Sequence, residues 1–128
     1  MITKENCSTE ALSQILESAF IDHSIDGNHI TVRMGRVKTL VEANVHFVNM
    51  LVFWMAEAGL SEQSLLSSVN AINNTYKFPK VYLHNGTIVV AQFAMLVGAG
   101  IPERSLVEAL RLMSDLLTTM PELDAITS

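Results

Sequence analysis

The sequence has 128 residues, of which 49% are hydrophobic and 16% charged, and its formal net charge is −5. This length predicts a single domain, 1–128, with one hydrophobic core, and the low content of charged residues excludes an intrinsically disordered chain. The eight lysines and arginines are scattered, which argues against nucleic-acid binding, because phosphates are neutralised by clustered basic residues.

The first residues lack the apolar core of a signal peptide. The longest apolar stretch, 88–101, is interrupted by polar residues and glycines and is shorter than the roughly 18 to 20 residues that span a bilayer. Cys7 is the only cysteine, so an internal disulfide is excluded. We therefore expect a cytoplasmic protein without a membrane partner, and loose tails at 1–7 and 121–128.

A helix and a strand are predicted at the start of the domain. Ser8 and Thr9 are good N-cap residues, and the apolar residues that follow at helical spacing predict a helix over 9–20. Asp26-Gly27-Asn28 is typical of a turn. Apolar and polar residues then alternate over 29–34, which indicates a half-buried strand.

Two further strands are predicted before the next helix. Residues 37–47 continue the alternation, and a turn near 48–49 leads to a third strand over 50–56, which is apolar on both faces. Such a strand is covered on both sides by its own fold or by a partner. A continuous helix through 37–58 is the alternative, but the density of β-branched and aromatic residues favours strands.

A second helix and a hairpin follow. Ser61 is a good N-cap for a helix over 62–75. Asn85 and Gly86 predict a two-residue type I′ turn, because both residues tolerate the positive φ that this turn requires. The turn places Leu83 opposite Ile88, and the long strand after it is apolar on both faces.

The chain is predicted to close with a third helix. Gly98 and Gly100 end the long strand, an amphipathic helix occupies 102–119, and Pro121 stops it. The order is then α-β-β-β-α-β-β-α. Tight turns between strands give antiparallel pairs, so the fold class is α+β, with an antiparallel sheet and helices packed on one face.

No motif in the sequence predicts catalysis or a bound cofactor. The histidines and the cysteine lack the short spacing of metal ligands. Gly98 and Gly100 lie between a strand and a helix, but the third glycine of a dinucleotide motif is absent at Glu103, and Pro102 removes a phosphate-binding N–H group. We therefore predict no catalytic residue, no metal ligand and no cofactor.

The informative feature is the excess of apolar residues in 50–56 and 88–97. A domain of this size has one sheet, and a sheet packed on helices through one face leaves the other face exposed. Contiguous exposed apolar surface marks an interaction site, and a homodimer is the simplest way to bury it, because one self-complementary patch suffices. The residues predicted to form this surface are Tyr82, Val89, Phe93, Met95 and Trp54.

The segment from the second helix to the third resembles a known family. The resemblance lies in Leu65-Leu66-Ser67-Ser68-Val69-Asn70-Ala71-Ile72-Asn73-Asn74, Phe78-Pro79-Lys80-Val81-Tyr82-Leu83, Ile88-Val89-Val90, and Gly98-Ala99-Gly100-Ile101-Pro102 with Leu106. These segments are similar to the YbjN family of bacterial sensory transduction regulators, over roughly 9–120. The fold of that family looks like the class I type III secretion chaperones.

The resemblance implies a non-enzymatic, cytoplasmic regulator or chaperone-like protein that acts through protein contacts, is commonly dimeric and needs no cofactor. Asn73 matches an asparagine of the family, and we interpret it as structural, because asparagine tolerates the left-handed conformation that ends helices. The residues interpreted as structural are Asn73, Asn85, Gly86, Gly98 and Gly100.

Two alternatives remain open from the sequence. The apolar surface could be a groove for an extended client segment, as in a type III secretion chaperone. It could also belong to a small-molecule sensor with a pocket near Trp54.

Overall fold

A computed structural model describes all residues from Met1 to Ser128. The elements are α1 (Thr9–Ser18), β1 (His23–Asp26), β2 (His29–Met34), β3 (Val37–Ala43), β4 (Phe47–Met55), α2 (Glu62–Thr75), β5 (Lys80–His84), β6 (Ile88–Leu96), α3 (Glu103–Thr118) and α4 (Pro121–Asp124). The strands form one antiparallel sheet of six, in the order β1-β2-β3-β4-β6-β5. The predicted α+β class is confirmed.

Side-chain caps set the beginnings of the first two helices, as predicted. The Ser8 hydroxyl accepts a hydrogen bond from the Ala11 N–H (3.1 Å), and Ser61 accepts one from the Ser64 N–H (3.1 Å). These bonds satisfy N–H groups that have no partner within the helix. The helix α1 ends two residues earlier than predicted, at Ser18.

All the large helices pack on the same face of the sheet. Residues that pair across neighbouring strands share a face, and the buried cluster joins helix residues to sheet residues of one face only, such as Val32, Val41 and Met50. The Ser114 hydroxyl of α3 donates to the Met34 carbonyl oxygen at 2.9 Å and fixes that helix to the end of β2. We call this the covered face and the opposite one the open face.

The sheet has one strand more than predicted. His23–Asp26 forms β1 and pairs with β2 through a tight turn at Gly27-Asn28. This strand has four residues, and Ile25 is its only large aliphatic side chain. Alternation over so short a segment is too weak to distinguish it from a loop.

The turn between β3 and β4 lies earlier than the predicted 48–49. Asn44 follows the last residue of β3, Ala43, and its side-chain oxygen accepts hydrogen bonds from the backbone N–H groups of His46 (2.7 Å) and Phe47 (2.9 Å). An asparagine turn of this kind is stabilised by local bonds rather than by glycine or proline. The strands predicted over 37–47 and 50–56 are therefore a shorter β3, which ends at Ala43, and a longer β4, which begins at Phe47.

The hairpin between β5 and β6 is shifted by one residue from the predicted register. Asn85 (φ 53°) and Gly86 (φ 72°) have the positive φ angles of the predicted turn, but Thr87 stays outside the ladder. Leu83 therefore pairs with Val89 rather than Ile88. The Thr87 carbonyl accepts from a backbone N–H after β4 (2.9 Å), a tertiary contact that local turn chemistry does not predict. Because of this one-residue shift, the side chains of β6 lie on the opposite face of the sheet from the one that the predicted pairing with β5 would give.

Both terminal segments are packed, although we expected loose tails. Ile2 is 1% exposed, and its N–H and carbonyl each bond to Ile101 at 2.7 Å. At the other end Pro121 begins α4 rather than only ending α3, and Leu123 and Ile126 are buried in the core. Isolated apolar residues among polar ones give no periodic signal, which is why the sequence did not indicate their burial.

Candidate protein-interaction surface

The open face carries a continuous apolar surface over its central strands. It is formed by the side chains of β3, β4, β6 and β5 that point away from the helices. Because pairing partners share a face, the register fixes its members. The apolar residues of the open face are Leu40, Phe47, Leu51, Phe53, Met55, Tyr82, Ile88, Val90, Ala94 and Leu96.

Several of these side chains are far more exposed than their chemistry favours. Leu96 is 72% exposed, Met55 60%, Phe53 51% and Phe47 40%. The open face of an antiparallel sheet is usually polar where it meets water. A contiguous apolar face of this kind marks an interaction site.

Two residues of the open face are buried without any helix above them. Leu51 and Val90 are 9% and 1% exposed, yet neither belongs to the main core cluster. Val90 pairs with Phe53 on one side and Tyr82 on the other, so its larger neighbours on the same face shield it. The centre of the open face is therefore closely packed, at Leu51 and Val90, and more exposed side chains surround it.

One polar pair lies in the middle of the apolar surface. The Gln92 side-chain N–H donates to the Asn49 side-chain oxygen at 3.0 Å. This bond leaves the Asn49 amide nitrogen and the Gln92 amide oxygen without a protein partner on the open face. Both groups are available to a second molecule, for which they would provide directional contacts.

Charged residues border the surface on both sides. On the β2–β3 side, Lys38 and Glu42 occupy the open face of β3, with Arg33 directly paired to Lys38. On the β5 side, the Lys80 ammonium lies 5.7 Å from the centre of the Tyr82 ring. An apolar centre with a polar rim is the usual anatomy of a protein interface.

The residues predicted to form the partner surface are divided between the two faces. Tyr82 lies on the open face, as expected. The other four lie on the covered face: Trp54, Val89, Phe93 and Met95. Val89 is fully buried, so it cannot contribute to a surface. For Val89, Phe93 and Met95 the error follows from the one-residue shift of the hairpin, which exchanges the faces assigned to β6. Trp54 lies on β4 and shares the covered face with its pairing partner Val89. The open-face residues of β4 and β6 were missed, although their apolar character on both faces was visible in the sequence.

Asn73 is structural, but for a different reason than predicted. It lies within α2, which continues to Thr75, and it is not left-handed. Its amide nitrogen donates to the Val81 carbonyl (2.6 Å) and its amide oxygen accepts from the Val81 N–H (2.8 Å). The side chain thus takes the place of a neighbouring strand at the outer edge of β5 and fastens α2 to the sheet.

The predicted structural glycines differ in what they require. Gly86 and Gly100 have positive φ angles of 72° and 87°, a conformation that glycine adopts without a steric penalty. A side chain at Gly100 would also collide with the Met1 sulfur. Gly98 has neither a positive φ nor a close neighbour, so nothing in the structure requires glycine there.

The groups with shifted pKa values lie away from the open face. The Tyr76 hydroxyl donates to the Glu122 carboxylate at 2.7 Å, and this bond raises the pKa of Tyr76 and lowers the pKa of Glu122. Partial burial raises the pKa of the Cys7 thiol. No cluster of three or more potential metal ligands is present, and no helix has the length and apolar character needed to cross a bilayer.

The architecture defines an α+β domain in which helices cover one face of an antiparallel sheet and leave the other face apolar and open. A family profile described as "YbjN: Putative bacterial sensory transduction regulator" matches residues 8–121. The chain belongs to the YbjN family, and the resemblance seen in the sequence is confirmed.

A solved structure supports the same fold. The structure described as "Crystal structure of YbjN, a putative transcription regulator from E. coli" superposes with a TM-score of 0.82 at 13% sequence identity, covering 100% of this chain and 99% of that chain. At this identity the similarity establishes the fold alone. No curated protein matches the sequence. The likeness to type III secretion chaperones stays a prediction.

Proposed function

We propose that the protein is a cytoplasmic regulator that acts by binding proteins rather than by catalysis, and that the open face holds a second copy of the chain. The exposed apolar side chains of β4 and β6 carry this proposal. The description of the family as a sensory transduction regulator supports a role in regulation.

The size of the open face suits a dimer of this chain. The strands β4 and β6 have nine residues each, so the surface is about 30 Å long, and the four strands from β3 to β5 are about 19 Å wide. Its flat footprint is roughly 500 Å², and protruding side chains add accessible area. A standard stable interface buries about 800 Å² on each partner, so the flat footprint alone supplies more than half of that area.

The architecture also favours a second sheet as the occupant. A domain of this class buries the apolar face of a sheet against another layer, and here the helices supply that layer on one side only. Two antiparallel sheets pack face to face about 10 Å apart, with their side chains interdigitating. A symmetric pair would bury the open faces of both copies at once.

The test is the oligomeric state of the wild type and of two open-face variants. Sedimentation velocity at low micromolar concentration should show a particle of twice the 14.1 kDa chain. Phe53→Glu and Leu96→Glu should each give a folded monomer, because a carboxylate in the interface cannot be buried unpaired. Circular dichroism checks that the variants keep their secondary structure.

A matched control is available on another part of the surface. Phe20 is 97% exposed and lies after α1, outside the sheet. Phe20→Glu should leave the dimer intact. A wild type that stays monomeric at tens of micromolar would overturn the homodimer, and an extended client peptide that binds this monomer would instead favour the chaperone alternative.

A further inference from the structure

We infer that the two copies stack about a two-fold axis that crosses the strands at Leu40, Leu51 and Gln92, so that Glu42 of each copy lies opposite Lys38 of the other. This inference rests on the proposed homodimer. It specifies which residues meet, because the register of the sheet fixes their order on the open face.

The geometry of such a dimer allows few arrangements. Two identical faces can meet only if one copy is turned over, so the two-fold axis lies in the plane of the interface. For two sheets packed with their strands aligned, the axis runs across the strands or along them. These two choices bring different rim residues together, and the charges on the rim distinguish between them.

The residues named above form the midline of the open face. Leu40 pairs with Leu51, and Leu51 pairs with Gln92. Leu51 is the third of five open-face positions on β4, and Gln92 is the third of five on β6. An axis along this line superposes the full length of both central strands on their copies.

Such an axis places apolar ends on apolar ends. At one end of the central strands, Phe47 pairs with Leu96, and at the other end Met55 pairs with Ile88. Rotation about the midline brings the first pair of one copy over the second pair of the other. The most exposed side chains of the face would thereby be buried together.

The same rotation matches opposite charges on β3. Glu42 and Lys38 lie two residues from Leu40 in opposite directions, so the axis exchanges their positions. Within one chain they are about 13 Å apart, and none of the ion pairs within the chain involves either of them. Lys38 is paired directly with Arg33, a like-charge contact that a carboxylate from the second copy would relieve.

An axis along the strands lacks this complementarity. It would place β3 of one copy over β5 of the other. Glu42 lies level with Asn49 and Ala94 across the sheet. The strand β5 begins only at Lys80, which lies level with Gln92, the next open-face position along β6. Glu42 would then have no cation directly opposite. The axis that crosses the strands also brings Lys80 of one copy near Lys80 of the other. Each Lys80 ammonium is turned toward the Tyr82 ring of its own chain, away from the midline and from the other lysine.

A charge exchange tests the register. Lys38→Glu and Glu42→Lys each place like charges opposite one another twice in the dimer, and we expect each to weaken dimerisation about tenfold at low salt. The double variant restores opposite charges, and its dimer dissociation constant should lie within about threefold of that of the wild type. The losses should shrink as the salt concentration rises, because rim charges are screened.

The dimer dissociation constants would be measured by sedimentation equilibrium. The control is Arg111→Glu, which reverses an exposed charge on α3 at the helix side of the molecule and should leave dimerisation unchanged. If Phe53→Glu dissociates the dimer but the double variant fails to recover, the register is overturned while the homodimer stands. If the wild type does not dimerise at all, the proposed function itself fails.

Discussion

The two faces of the sheet contain similar side chains in opposite surroundings. On β4, Met50 lies on the covered face and is fully buried, whereas Met55 lies on the open face and is 60% exposed. The same contrast holds between Val89 and Leu96 on β6. Apolar content therefore does not by itself show which face the helices cover. What differs is the layer above each face: the helices supply it on the covered face, and on the open face we propose that a second copy of the chain supplies it.

The largest effect is expected from a substitution on the covered face. Met50→Ala leaves a cavity among core residues and should lower the free energy of unfolding by about 2–5 kcal/mol. Urea denaturation would show the loss at every protein concentration, because the side chain packs within one chain.

The matched control for this experiment is Met55→Ala, on the same strand but on the open face. It should change the unfolding of the monomer little and lower the melting temperature only where the wild type is dimeric, since association adds stability by mass action. Equal losses for the two methionines at all concentrations would contradict the contrast between the faces.

An intermediate effect is expected at the edge where the covering helix α2 is fastened. Asn73→Ala removes both hydrogen bonds to Val81 and leaves two backbone groups of β5 without partners. Asn73 is exposed, so water can reach these groups in the variant, and stability should fall by the net value of a hydrogen bond, about 0.5–1.5 kcal/mol for each bond lost. Hydrogen exchange at the Val81 amide should accelerate in the same variant.

Asn74 offers a control one residue further along the same helix. It is exposed, and Asn74→Ala should change neither the unfolding midpoint nor the exchange at Val81. Asn73→Asp keeps an acceptor for the Val81 N–H but not a donor for the Val81 carbonyl. Its stability should therefore lie between those of Asn73→Ala and Asn74→Ala. If Asn73→Ala unfolds like Asn74→Ala, the edge contact does not hold α2 in place.

The elements with strong periodicity were predictable from the sequence. The amphipathic pattern of α3 and the serine caps of α1 and α2 locate the helices to within two residues, because these signals are local. The α+β class follows from the same signals together with the tight turn at Asn85-Gly86. The family was recognisable from the segments around α2 and the hairpin.

The composition of the open face was not predictable in detail. It depends on whether Thr87 joins the ladder, and that residue is held outside it by a backbone bond to the segment after β4. A single residue at the hairpin decides which face Phe93 and Met95 occupy. Likewise, the two bonds from Asn73 to β5 are tertiary contacts, so the sequence could mark the residue but not its role.

The smallest effect is expected where α4 is fastened to the end of α2. The Tyr76 hydroxyl bonds to Glu122 and lowers the pKa of that carboxyl. A lowered pKa in the folded state means that the stabilisation is present above the ordinary value of 4.5 and is lost as the pH falls through the lowered pKa. Tyr76→Phe should therefore lower the melting temperature slightly near neutral pH and by less near pH 3.

The size of this effect is small because both groups are near the surface, where water screens their interaction. Tyr82→Phe is the control, since the Tyr82 hydroxyl has no hydrogen-bond partner within the chain and its loss should give no pH-dependent difference. Calorimetric scans of both variants and the wild type at the two pH values provide the comparison. A Tyr76→Phe difference that persists unchanged in acid would mean that lost packing, rather than the bond to Glu122, accounts for it.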